Sequence, residues 1–132
     1  MRFSNASTYA VHALAHLAAA GPDRWVLSYD IARVRGIPEG YLLKTLRRLV
    51  SAQFVRSLKG PHGGYRLARP AARITLLEVV EAVDGPIRGE APLAEGSRDP
   101  LDARLQEICE EVAGLVRRRL GRVRLSDLAG GR

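Results

Sequence analysis

The chain has little of what a disulfide scaffold, a self-contained metal centre or a membrane span requires. Its 132 residues include one cysteine, one tryptophan, one methionine and two phenylalanines. The single cysteine, Cys109, excludes an intrachain disulfide and cannot by itself close a zinc or iron–sulfur site. No apolar run approaches the ~20 residues that a membrane-spanning helix needs. The opening Met1-Arg2-Phe3-Ser4-Asn5 lacks the charged, apolar and cleavage sections of a signal peptide. A cytoplasmic protein without a membrane partner is expected. Catalytic constellations are missing as well: no nucleophile has a matched base, and the acids gather as Glu107, Glu110 and Glu111 rather than as a catalytic pair. An enzyme is not expected.

Acids are also scarce in one half. Residues 1 to 70 carry 11 Lys or Arg against 3 Asp or Glu, whereas residues 71 to 132 carry 10 against 11. A polyanion-binding half joined to a half with another task explains this asymmetry. Only two of the 21 basic residues are lysines, a skew that coding bias can produce, but such bias does not remove acids from one half.

Apolar residues at Ala6, Tyr9, Ala10, Ala13, Leu14, Leu17 and Ala18 predict a helix from Ser4 to Ala20, stopped by Gly21-Pro22. Ser28 is read as the cap of a short helix that Gly36 ends, and Pro38 as the first residue of the next. Two helices separated only by Gly36-Ile37 fit a helix-turn-helix. From Pro38 to about Ala52, Leu42, Leu46 and Leu49 fall on one side, with Leu43, Thr45 and Val50 flanking. Gly40, Tyr41, Lys44, Arg47, Arg48 and Ser51 fall on the other, a basic and polar face without an acid.

Phe54–Leu58 and Tyr65–Ala68 read as strands of a hairpin around the turn sequence Lys59-Gly60-Pro61-His62-Gly63-Gly64, with Arg56, Lys59, Arg66 and Arg69 supplying cations around its tip. A nucleotide-binding phosphate loop is disfavoured, because no Gly-Lys-Ser/Thr sequence occurs and no helix follows the glycines. Thr75 and Glu78 form a capping box for a helix to about Asp84. Residues 85 to 98 lack an apolar period and are expected as a mobile loop. Asp99-Pro100 opens a long helix to about Leu120 in which Leu101, Leu105, Ile108, Val112 and Leu115 step by four, three, four and three, a seam for another helix. A final turn at Leu125–Leu128 is expected to pack back on the core.

Arg2-Phe3-Ser4 with Tyr9-Ala10, Gly36-Ile37-Pro38, Tyr41-Leu42, the run Gly63 to Pro70 after Gly60-Pro61, and the Ile74 to Gly85 segment together resemble the Rrf2 family of bacterial transcription regulators. The resemblance covers the chain except residues 86 to 107. It implies a mainly α fold with a small β-hairpin wing, a winged helix-turn-helix over 1–84, a loop over 85–98, and a dimerisation helix with a C-terminal turn over 99–132. It also implies a homodimer on double-stranded DNA, with the recognition helix in the major groove and the wing tip in the minor groove. The DNA-facing set is then Ser28, Gly40, Tyr41, Lys44, Arg47 and Arg48 from the helices and Lys59, Gly60, His62 and Tyr65 from the wing.

The departures from the family pattern matter equally. Well-known members carry three cysteines in the loop before the long helix and bind an iron–sulfur cluster, but Arg88 to Arg98 holds neither cysteine nor histidine, so no cofactor is expected. Cys109 lies within the long helix and is read as a buried, inert thiol, a thiol-based redox sensor being the alternative. Asn5-Ala6-Ser7-Thr8 replaces residues that are often basic, and Lys59 stands where Arg is common. His12 and His16, four apart but without a third ligand, are read as a solvated pair. A winged-helix module that binds protein instead of DNA is the competing function, because fold alone does not decide between them. No residue pattern points to an effector.

Overall fold

A computed structural model describes residues 1–92 and 96–129. The helices are α1 (Asn5–Ala20), α2 (Ser28–Arg35), α3 (Glu39–Ser51), α4 (Leu76–Asp84), α5 (Pro100–Gly121) and α6 (Leu125–Ala129). Strands β1 (Val55–Leu58) and β2 (Gly64–Leu67) form an antiparallel hairpin, and a 3-10 turn spans Ala71–Arg73. The mainly helical winged helix-turn-helix architecture therefore agrees with the sequence-based expectation. Among the described residues no helix is long and apolar enough to cross a membrane.

Local chemistry sets the helix ends. The Ser4 hydroxyl accepts from the Ser7 N–H at 3.0 Å and caps α1, whose small Ala10 and Ala13 and larger Leu14 and Leu17 are all buried. Gly36, at φ 66°, closes α2 in the left-handed conformation, and the Ile37 N–H returns to the Ala32 carbonyl at 3.0 Å. Two expected helix starts are corrected. Leu27, not Ser28, is the cap of α2, because the chain leaves the Val26–Tyr65 bridge at that point and the Leu27 carbonyl takes the first helical hydrogen bonds. Pro38 caps α3 from outside, since its ψ of 129° is extended.

The core joins the buried sides of α1, α3 and α4 to the inner face of the hairpin. Leu14, Leu17, Ile31, Leu42, Leu46, Leu49, Val55, Ile74 and Val79 are its largest fully buried side chains. Thr45 is buried with them, its hydroxyl donating to the Tyr41 carbonyl at 2.9 Å. Two glycines permit the hairpin's close contacts. A Cβ on Gly64, at φ 141°, would stand 2.5 Å from the Val26 carbonyl oxygen, and one on Gly63 would collide with the Leu58 carbonyl.

The capping box of α4 is present: the Thr75 N–H donates to Glu78 at 2.9 Å, and the Glu78 N–H donates to the Thr75 hydroxyl at 3.2 Å. Beyond α5 the chain returns to this point. Leu76 donates to the Val123 carbonyl and Leu125 to the Ile74 carbonyl, both at 2.8 Å, which buries Leu125 and seats α6 against α1.

The segment expected as a mobile loop is instead held along α5. Gln106 accepts from the Ala91 N–H at 3.0 Å and donates to the Gly89 carbonyl at 2.6 Å. Arg117 donates to the Ile87 carbonyl at 2.6 Å, and the Gly89 N–H reaches Glu110 at 3.3 Å. Gly89 lies so close to the Cys109 backbone that no side chain fits there. Residues 93–95 of the expected loop lie outside the described residues.

The glycine contacts make a paired prediction. Gly64→Ala should destabilise the protein by about 1–3 kcal/mol through overpacking against the Val26 backbone. Gly40→Ala, which meets nothing within 4 Å, should be neutral or stabilising by up to ~1 kcal/mol. Urea denaturation of both variants, with equal slopes, checks the contrast.

Candidate nucleic-acid interface

Burial of Leu42, Leu46 and Leu49 forces the opposite side of α3 into solvent, since side chains a half-turn apart on a helix cannot share a face. Gly40, Tyr41, Lys44, Arg47, Arg48 and Ser51 are all exposed, Tyr41 by 61%. Glu39, in the first turn, is exposed as well and places one acid at the start of this helix. Among the described residues no salt bridge engages Lys44, Arg47, Arg48 or Lys59. Arg48 reaches sideways and donates to the Val83 carbonyl at the end of α4 at 3.3 Å. Its guanidinium is thus partly engaged, which the helical period could not reveal.

The Tyr41 ring lies 6.4 Å from that of Tyr9 on α1, tilted by 42°. This contact links the start of α3 to α1 and falls in the preferred range for aromatic pairs. Ser28, in the first turn of α2, is half-buried beside the exposed Tyr29, a residue that reading from the sequence passed over. Tyr29 gave no signal because a lone aromatic on a short amphipathic helix normally belongs to the core.

At the hairpin, Lys59, Gly60 and His62 form the exposed turn. Tyr65 is different. It packs against the core, and its backbone exchanges hydrogen bonds with Val26 at 2.9 and 2.8 Å, so the expected wing contact is corrected to a residue that anchors the hairpin. The expected ring of cations around the tip is also corrected: only Lys59 is in the turn. Arg56 and Arg66 face each other along the strands, and Arg69 follows β2. Arg69 pairs with Glu78 at 3.4 Å. Burial works to raise the Glu78 carboxyl, but the Thr75 N–H, the Arg69 charge and further hydrogen bonds outweigh it and hold the group below its usual range.

Along α5, Leu101, Leu105, Ile108, Val112 and Leu115 are 41–60% exposed. Only Ala113 and Leu120 of this 22-residue helix are buried. Cys109 is half-buried rather than buried. It lines a cleft of about 610 Å³ with Phe3, Val80 and Val112, because the Gly85–Glu90 backbone covers the helix on one side only. The solvated histidine pair is corrected as well. His12 is exposed, but His16 is half-buried and its Nδ1 accepts from Arg35 at 3.3 Å. Burial first, and the Arg35 charge next, lower its pKa. Among the described residues no group of three or more His, Cys, Asp or Glu is gathered to hold a metal.

Comparison with known proteins agrees with this architecture. The sequence matches the Rrf2 family, described as iron-dependent transcriptional regulator, over residues 3–131. A helix-turn-helix-type protein of Mycobacterium tuberculosis is 34% identical over 134 residues, covering 99% of this chain and 83% of its own. The HTH-type transcriptional regulator IscR of Xenorhabdus nematophila is 32% identical over 133 residues, covering 97% and 79%. Among solved structures, CymR, the global cysteine regulator of B. subtilis, superposes with a TM-score of 0.83 at 25% identity, covering 98% of this chain and 97% of that one. A helix-turn-helix with a hairpin wing, a long terminal helix and a family match spanning nearly every residue lead to one conclusion: this chain belongs to the Rrf2 family of transcriptional regulators.

Proposed function

We propose that this Rrf2-family regulator binds double-stranded DNA sequence-specifically as a homodimer and does so without an iron–sulfur cluster. The carrying observation is the division of α3 into a fully buried leucine side and an exposed side presenting Tyr41, Lys44, Arg47 and Ser51. A rigid helix with a polar, cationic outer face suits the major groove, where residues near its start meet base edges and later ones meet phosphates. Tyr41 and Lys44 take the first role, Arg47 and Arg48 the second. Ser28 opens α2, whose free N–H groups favour a phosphate. Lys59 at the hairpin turn, flanked by Gly60 and His62, suits the narrow minor groove, where a cation responds to width and charge more than to base identity.

The homodimer reading rests on α5. Five large apolar side chains on one face of a helix about 33 Å long lose stability in water and gain it against a second copy of the same face. The cluster-free reading rests on the donor set. Although the family description is iron-dependent, this chain has one cysteine, half-buried on α5, and no cysteine or histidine in residues 86–98. Cluster ligation needs several thiolates or histidines, and these residues do not supply them.

Two outcomes test the proposal. Ile108→Glu would place a charge in an apolar interface, so light scattering should fall from a dimer to the 14.4 kDa monomer. An unchanged mass would remove α5 as the interface. Lys44→Ala should weaken binding to a duplex bearing the recognised site by roughly 1–3 kcal/mol and flatten preference at one position. Lys59→Ala should weaken specific and scrambled duplexes alike and reduce the salt slope by about 2 per homodimer, one contact from each protomer. Titrations of both variants at several salt concentrations separate the two roles. If Lys59→Ala leaves affinity and slope for scrambled DNA untouched, the wing assignment fails.

A further inference from the structure

A second basic surface lies on the outward side of the hairpin, apart from α3 and from the Lys59 turn. Pairing puts Arg56 directly opposite Arg66, on the side of the sheet away from the core-facing Val55, Tyr65 and Leu67. Like charges facing each other across a ladder destabilise it. Among the described residues neither guanidinium has a carboxylate partner to relieve the repulsion. An anion from outside the chain would relieve it.

The arrangement is also rigid. The Arg66 guanidinium lies 4.2 Å over the Trp25 ring, and that of Arg69 lies 4.5 Å over the Phe54 ring. Stacking occupies the flat face of a guanidinium and leaves its in-plane N–H fork available, the geometry that matches phosphate oxygens in pairs. Arg56, Arg66 and Arg69, joined by Trp25, Gln53 and Ser57, line an open groove of about 900 Å³ at the root of the hairpin. One weak 3.4 Å pairing between Arg69 and Glu78 leaves most of these donors unused.

We propose that this groove binds the phosphodiester backbone of DNA, as a contact additional to the α3 face and the hairpin turn. The inference rests on the DNA-binding reading above and extends its footprint. An open, solvent-facing groove gives a free small anion little advantage over solvent. A duplex, by contrast, brings many phosphates together and gains from releasing their counterions. The stacked fork at Arg66 and the cross-strand Arg56 read charge and not sequence.

The groove contains its own reporter, because Trp25 is the chain's sole tryptophan and lies beneath Arg66. The test follows Trp25 emission and affinity in the full-length wild-type chain, in Arg56→Gln and in the double variant Arg56→Gln/Arg66→Gln. Titrants are a duplex bearing the recognised site, its scrambled form, and inorganic pyrophosphate as a small-anion probe. DNA should change wild-type emission. The double variant should lose that response, and its salt slope should fall by about 4 per homodimer on both duplexes, two contacts from each protomer, with their affinity ratio unchanged. Arg56→Gln keeps the Arg66–Trp25 stack, so its free emission should match wild type while its slope falls by about 2 per homodimer, which separates charge loss from misfolding. Unchanged slopes in both variants, with wild-type binding intact, would overturn the groove and leave the regulator reading standing. An emission response to pyrophosphate but not to DNA would overturn it too. Wild-type protein that binds no duplex would sink both readings.

Discussion

Leu42, Leu46 and Leu49 are buried completely where α3 packs against α1 and α4, and this burial orients everything outside it. Each such side chain contributes roughly 1.5–3 kcal/mol when removed from water, so rotating the helix to expose them is strongly disfavoured. The opposite face has no freedom to hide. Lys44 and Arg47 are therefore presented in a fixed direction by the core itself. The same core holds Val55 and Tyr65, so it also sets the angle at which the hairpin leaves the end of α3. The proposed DNA-binding surface is therefore preorganised, because binding would not have to order its elements.

The end of α4 ties the molecule together. Asp84 accepts from the Ser4 hydroxyl at 2.8 and 2.7 Å and from the Ser7 hydroxyl at 2.6 Å, while the neighbouring Val83 carbonyl receives Arg48. The start of α1 and the recognition face of α3 thus converge on two adjacent residues. The chain then passes from Gly85 into the segment that Gln106 and Arg117 hold on α5. Side chains of α5 therefore hold the 87–91 segment, and the chain runs from there back to Val83, whose carbonyl Arg48 of α3 reaches. The exposed ion pairs along α5, Arg104 with Glu107 and Arg117 with Glu110, add little stability of their own. The Arg117 hydrogen bond, with that of the Gly89 N–H, holds the Glu110 carboxyl below its usual range.

Most of the fold is legible in the sequence because its signals are local. The leucine period of α3, the Thr75–Glu78 capping box and the turn glycines each depend on residues within a few positions of one another. What escaped depends on distant partners. The start of α2 at Leu27 is decided by pairing of Val26 with Tyr65, nearly 40 residues away. The loop after Gly85 looks irregular because its order comes from side chains of α5 and not from any period of its own. The candidate site divides in the same way. Lys44, Arg47 and Lys59 follow from helix geometry and turn chemistry, whereas Arg48 engaging Val83, Tyr65 facing the core and Arg66 stacked on Trp25 require tertiary structure. His16 departs from a solvated histidine for the same reason, its neighbour being Arg35 on another helix.

In the proposed assembly, a core-fixed α3 and an exposed apolar α5 would together make a symmetric reader of duplex DNA. Selection of bound duplexes from a random pool by the full-length chain tests it most directly. A two-fold-symmetric sequence should be recovered, its half-sites about one helical turn, or a multiple of it, apart. Recovery of no sequence beyond the composition of the starting pool would contradict it.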